Sequence, residues 1–149
     1  MRFTSILAAG ASLLGLSSAR LVGVKAPSTI KPGDVFTAQL VTENYIQSVT
    51  DVSVVFGLAP DASYGGSLGT FVGAKFLGED QSNQLHNVNV SMIMPTTVQT
   101  GKQIFGAALY SLYGASTTPV ISEFNVSVTI GDATSSDWVQ SEGIVTVSA

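Results

Sequence analysis

The chain has 149 residues, a formal net charge of −4, one histidine, one tryptophan and no cysteine. That length fits a single domain. Six Lys and Arg against ten Asp and Glu make no basic patch to displace phosphate counterions, so nucleic acid is excluded as a partner. Without cysteine there is no disulfide framework, thiolate metal site or cysteine nucleophile, and one histidine leaves little for acid–base chemistry. The composition therefore predicts a protein with no cofactor, no metal and no catalytic residues.

Arg2 precedes an apolar run from Ile6 to Leu16, and Ser17 and Ala19 follow with the spacing of the −3 and −1 positions of a signal peptidase site. Residues 1–19 read as a secretory signal peptide, cleaved between Ala19 and Arg20. The run is shorter than the roughly 20 residues a membrane helix needs, and the terminal GIVTVSA is too short and polar for a lipid-anchor signal. A secreted chain with no membrane anchor is expected. Losing Arg2 takes its net charge to −5.

From Arg20 onward the pattern has a period of two, the mark of half-buried strands. A short strand spans 20–25. Residues 34–42 turn Phe36, Ala38 and Leu40 inward, and 51–58 do the same with Val52, Val54, Phe56 and Leu58. Residues 70–77 and 103–113 are apolar on both faces, as central strands are. Residues 85–94 align Val88, Val90, Met92 and Met94, and 124–130 align Phe124, Val126, Val128 and Ile130. Tyr110 reads as core packing. Turn chemistry separates these runs: Lys31-Pro32-Gly33-Asp34, a longer loop at 59–69, and turns at 78–83 and 95–101. The fold class is all-β, a single immunoglobulin-like antiparallel β-sandwich of about seven strands over residues 20–131. Residues 132–149 form a C-terminal tail that ends in a candidate edge strand at 143–148.

The polar residues give no catalytic constellation. Glu79 and Asp80 are adjacent in a turn, while Asp34, Asp51 and Asp61 sit at strand starts or in loops, where carboxylates cap backbone groups. No pair is marked as flanking a cleft, as glycoside hydrolysis requires. The turn GEDQSN lacks the spacing of a calcium loop, and YGGSLG lacks the Lys-Ser/Thr ending of a phosphate loop. His86 reads as a strand-end residue. Two N-glycosylation sequons are present, Asn89-Val90-Ser91 and Asn125-Val126-Ser127, both with the asparagine on a polar strand face. Tyr45, Tyr64 and Trp138 fall in segments outside the predicted core and are the partner-binding candidates, because Tyr and Trp bring contact area and a polar tip at low entropic cost.

The string RLVGVKAPSTIKPGDVFTAQLVTENYIQSVTDVSVVFGLAP resembles the opening of the necrosis-inducing secreted protein family of fungal effectors. The shared points are the V-x-A-P start, the P-G-x-x-F-T-A turn and strand, the ENYIQ stretch and the V-F-G-L strand end. PTTVQTGKQIFGAALYSLYGAS and FNVSVTIG are similar to that family's last two strands, so the likeness covers residues 20–131. The resemblance implies a secreted, non-enzymatic protein that binds host proteins. By resemblance the targets are plant immune receptor-associated kinases, reached in the host cytoplasm after uptake, with suppression of pattern-triggered immunity or induction of cell death. It carries over no contact residue. The alternative reading is a secreted carbohydrate-binding or cell-wall-associated β-sandwich module. A monomer or a weak homodimer through an exposed edge is expected, since unpaired strands invite pairing.

Overall fold

The computed structural model describes residues 18–60 and 66–147. Residues 1–17 of the signal peptide read at 1–19, together with Asp61 and Tyr64, lie outside the described residues. Apart from one helical turn, the regular structure of the described chain is all strand. In order it forms β1 (Ser18–Pro27), β2 (Thr29–Ile30), β3 (Val35–Tyr45), β4 (Val49–Ala59), β5 (Thr70–Phe76), a one-turn helix α1 (Gly78–Gln81), β6 (Val88–Ile93), β7 (Gly101–Tyr113), β8 (Thr118–Ile130), β9 (Trp138–Gln140) and β10 (Val145–Val147). Two sheets result. The smaller has the order β6-β3-β1-β9. The larger runs β10-β8-β7-β4-β5, and β2 pairs with β8 in parallel.

The all-β sandwich expected from the alternation is the fold observed. Among the described residues the strands number ten against about seven, and the parallel β2–β8 pair makes the larger sheet mixed rather than purely antiparallel. Of the three added strands, β10 lies within the candidate edge strand at 143–148, while β2 and β9 span two and three residues, too short to show a period. The segment 103–113, read as strand against its Ala-rich helical look, is β7. The turn 78–83 begins with α1 instead of a plain loop. The segment 85–94 pairs only from Val88, leaving His86 exposed ahead of the strand.

The inward faces meet as predicted. Phe36, Ala38 and Leu40 from β3 and Val54, Phe56 and Leu58 from β4 join Phe105 and Leu109 from β7 in one core, with Phe124, Val126, Val128 and Ile130 from β8. Phe105 is central. Its ring lies 5.7 Å from Phe36 of the opposite sheet, edge to face, and 5.7 Å from Phe56 of its own sheet, stacked. Burial of about 25 cal/mol per Å² of such surface drives the two sheets together. Tyr110 departs from its expected core place. It is 39% exposed, because it pairs with Ser53 on the outer side of β4.

Among the described residues three β-bulges break the alternation: Val72 in β5, between Phe71, opposite Gly57, and Gly73, opposite Phe56, and one each in β1 and β4. Val22 is an extra residue in β1, between Leu21, opposite Thr42, and Gly23, opposite Val41. Val52 is an extra residue in β4, between Asp51, opposite Ser111, and Ser53, opposite Tyr110. Each bulge reverses which residues face the core beyond it. This is why Val52 is only half-buried while Asp51, expected to cap a strand start, is 1% exposed on the core side.

The tail closes the sandwich. β9 extends the small sheet by pairing Trp138, Val139 and Gln140 with Pro27, Ala26 and Lys25. β10 then crosses to the large sheet and pairs with Glu123, Ser122 and Ile121. Between them Ser141 anchors the crossing: its N–H donates to the Val24 carbonyl at 2.9 Å and its hydroxyl accepts from the Val24 N–H at 3.0 Å. Upstream, the Thr134 hydroxyl donates to the Asp34 carboxylate at 2.8 Å and accepts from the Lys31 N–H at 3.0 Å. Deleting residues 132–149 is therefore expected to lower the melting temperature. Each ~1 kcal/mol lost corresponds to roughly 3–6 °C for a domain of this size. An unchanged melting temperature, read by circular dichroism, would contradict this docking.

Candidate functional site

One end of the sandwich gathers the chain's surface chemistry. Here the β3–β4 turn (46–48) and the β7–β8 turn (114–117) lie side by side, tied by the Gly114 N–H donating to the Ser48 carbonyl at 2.8 Å. The Val22 bulge turns Arg20 outward, opposite Glu43. Arg20 Nε and Nη2 both donate to Glu43 Oε1, at 3.0 and 2.7 Å. That hydrogen bond pushes the guanidinium pKa upward and holds the charge in place. The same guanidinium lies 4.4 Å from the centre of the Tyr45 ring, a cation–π contact. Tyr45 in turn meets Tyr113 edge to face at 6.1 Å, and its hydroxyl donates to Gln47 at 3.3 Å. An exposed ion pair of this kind contributes at most about 1 kcal/mol. Its effect here is to fix a ring orientation.

Beyond this ordered cluster, Ile46 projects from the turn 97% exposed. Near the same end, on the outer face of the large sheet, an open hollow of about 620 Å³ is lined by Thr50, Val52, Phe76 and Leu77 and by the residues of α1. Phe76 is 74% exposed at its rim. Rigid aromatics beside bare apolar side chains are what a protein-binding surface presents, since little conformational entropy remains to be lost on contact.

Beneath this surface lies Asp51. Ser111 donates its hydroxyl to Asp51 Oδ1 at 2.7 Å. The Asp51 N–H donates to Ser82 Oγ at 2.9 Å, and that hydroxyl donates to the Val49 carbonyl at 3.2 Å. Burial pushes the carboxyl pKa up, against the opposing effect of the Ser111 hydrogen bond. Burial also raises the Tyr113 phenol, and the Asp51 charge adds to it. Among the described residues no three His, Asp or Glu side chains converge as a metal ligand set.

Of the three partner-binding candidates, Tyr45 is the last residue of β3 and lies in this cluster. Trp138 is half-exposed at the opposite end, opposite Pro27. At about 3.3 Å per residue the two are separated by roughly 27 Å along the small sheet. They do not form one binding row. Tyr64 is outside the described residues. Asn89 and Asn125 are both exposed. Ala19 is buried and Arg20 half-buried within β1, so cleavage between them would leave Arg20 still opposite Glu43. The reading from sequence passed over Ile46 and Phe76. Ile46 stands in the ENYIQ stretch as a lone apolar residue in a polar turn, and that was the available signal.

A small all-β sandwich without disulfides, carrying an ordered aromatic end and a projecting turn, defines a class of scaffold. The particular kind follows from comparison with known proteins. Residues 17–129 match the Nis1 family. The chain is 46% identical over 143 residues to necrosis-inducing secreted protein 1 of Colletotrichum orbiculare, covering 95% of this chain and 88% of that protein. It is 43% identical over 143 residues to the protein of the same name from Colletotrichum higginsianum, covering 95% and 99%. The chain belongs to the Nis1 family, as the resemblance of its opening segment implied.

The sign of the Asp51 effect is fixed. Its folded-state pKa is raised, so the folded state binds protons more readily than the unfolded chain above the ordinary value of 3.8. Stability is lost as pH rises through the folded pKa, and the cost vanishes below the unfolded one. Asp51→Asn keeps an acceptor for Ser111 and should melt several degrees above wild type at pH 7. That gap should close as pH falls toward 3.5. A gap of the same size at both pH values, measured by thermal melts, would refute the assignment.

Proposed function

We propose that this protein is a secreted effector. In this reading it binds host proteins, acts without turnover, and suppresses pattern-triggered immunity or induces cell death. Membership of the Nis1 family is the main support, together with the names of two relatives matched over 88% and 99% of their length, which describe secreted, necrosis-inducing proteins. The partners are immune receptor-associated kinases, as the sequence resemblance implies. The observation that supports a contact at the Tyr45 end is Ile46, 97% exposed beside an aromatic pair held by Arg20 and Glu43. An apolar side chain left bare in a turn gains free energy only when something covers it. A carbohydrate-binding module would favour a planar row of aromatics, and Tyr45 and Trp138 sit at opposite ends of the small sheet.

The test is binding of the chain without residues 1–19 to kinase domains of plant immune co-receptors and their cytoplasmic partners, read with kinase activity. Micromolar or tighter binding with loss of phosphorylation is expected. Ile46→Asp should weaken it at least tenfold, and Tyr45→Ala should weaken it too. Ile46→Asp should leave the melting temperature unchanged, because Ile46 touches no core. Failure of the unmutated chain to bind would remove the kinase partner. Unaltered binding by Ile46→Asp would move the contact elsewhere on the sandwich.

A further inference from the structure

A sandwich that is not closed into a barrel keeps strands with one unpaired side, and such sides template pairing with other chains. Two of these stretches stand out among the described residues. The first is β6, one of the two outermost strands of the small sheet, paired to β3 alone. The second is the middle of β8. β10 pairs with residues 121–123 and β2 with 129–130, so residues 124–128 have β7 on one side and no strand on the other. The Thr129 N–H donates to the carbonyl of Ser28, just before β2, and the Gly131 N–H to that of Ile30 in β2, which puts the odd-numbered backbone groups on that side. The period of two then leaves those of Asn125 and Ser127 pointing into the gap. An open cleft of about 420 Å³ lies there, bordered by Val139, Gln140, Glu142 and Gly143.

Each sequon sits on one of these two stretches. Asn89-Val90-Ser91 occupies the centre of β6, with Asn89 and Ser91 exposed and Val90 buried. Asn125-Val126-Ser127 occupies the gap in β8 with the same alternation. The Asn125 side chain lies over Gly106, where a Cβ would meet its Oδ1 at 2.9 Å. The asparagine amides therefore stand on solvent faces while the intervening valines anchor the backbone. The β6 edge already has one guard, Lys75 Nζ donating to the Asn89 carbonyl at 3.4 Å. The β8 gap has no basic residue among those lining it.

We infer that Asn89 and Asn125 carry N-linked glycans and that these glycans block strand-to-strand association at these two open stretches. This rests on the secretory reading above. The donor is a lipid-pyrophosphate-linked oligosaccharide. Nδ2 of the asparagine bonds to the anomeric carbon as that carbon's bond to the pyrophosphate oxygen breaks, and the amide proton leaves with the pyrophosphate. Nothing is oxidised or reduced.

The experiment expresses residues 1–149 in a eukaryotic secretory host. Intact mass is measured in the medium and in cells, before and after enzymatic glycan release. The expected result is a secreted chain that loses mass in two steps. Asn89→Gln and Asn125→Gln should each remove one step, and Ser91→Ala and Ser127→Ala should do the same while keeping both asparagines. By light scattering, the glycosylated chain should be monomeric at concentrations where the doubly unmodified chain associates. A chain in the medium with unchanged mass would overturn the modification and leave secretion standing. A chain retained in cells would overturn the secretory reading and this inference with it. Occupied sites with equal monomer fractions for both forms would overturn the guarding role.

Discussion

The contact on which this molecule depends is the edge-to-face meeting of Phe36 and Phe105 across the two sheets, extended by the stacking of Phe56 on Phe105. A secreted domain of this size often relies on disulfides, and this chain has no cysteine to form one. Phe36, Phe56, Phe105 and Phe124 are each at most 3% exposed, and they fill the centre of the layer between the sheets. Close packing replaces the covalent link. With no cross-link to limit the unfolded chain, stability depends on the volume and shape of these rings and on the aliphatic positions around them.

Leu68 has a matching role on the outside. The segment 66–69 runs over the outer face of the large sheet, and Leu68 lies on Gly57 and Gly106, neighbours across the β4–β7 pair. A side chain at Gly57 would collide with the Leu68 backbone, and one at Gly106 would meet its methyl group at 2.9 Å. Two glycines in adjacent strands thus make a groove for one leucine. That contact positions the return of the chain into β5, whose last residue, Phe76, rims the hollow near the Tyr45 end.

The core was legible in the sequence because it rests on alternation. Phe124, Val126, Val128 and Ile130 read inward from their spacing and are inward in the fold. So do Phe36, Ala38 and Leu40. What escaped was whatever depends on register between strands. Asp51 looked like a strand-start cap because a carboxylate there costs nothing in an unbroken ladder, and the Val52 bulge that turns it inward leaves no mark on composition. Tyr110 looked like core because its strand is apolar on both faces, so only its pairing with Ser53 shows which side it takes. β2 and β9 are held by partners far along the chain, not by any local propensity, whereas β10 falls within the edge strand read at 143–148. At the candidate site, Tyr45 was found by residue type. Ile46 is marked in the sequence only by standing as a lone apolar residue in a polar turn, and its exposure gives that mark its meaning.

The bulges at Val22 and Val52 act like phase shifts in a repeating pattern. Upstream of Val22 and of Val52 each strand runs one step out of phase with its remainder, which puts Arg20 over Tyr45 and Asp51 beneath Tyr113. The core half and the Tyr45 half of the sandwich are therefore separable in inheritance. A relative lacking the residue equivalent to Val22 or Val52 would keep the same phenylalanine layer yet present the opposite faces of these strand segments at this end. Among such proteins a single-residue gap at either position changes the surface more than many substitutions would, and percentage identity conceals it.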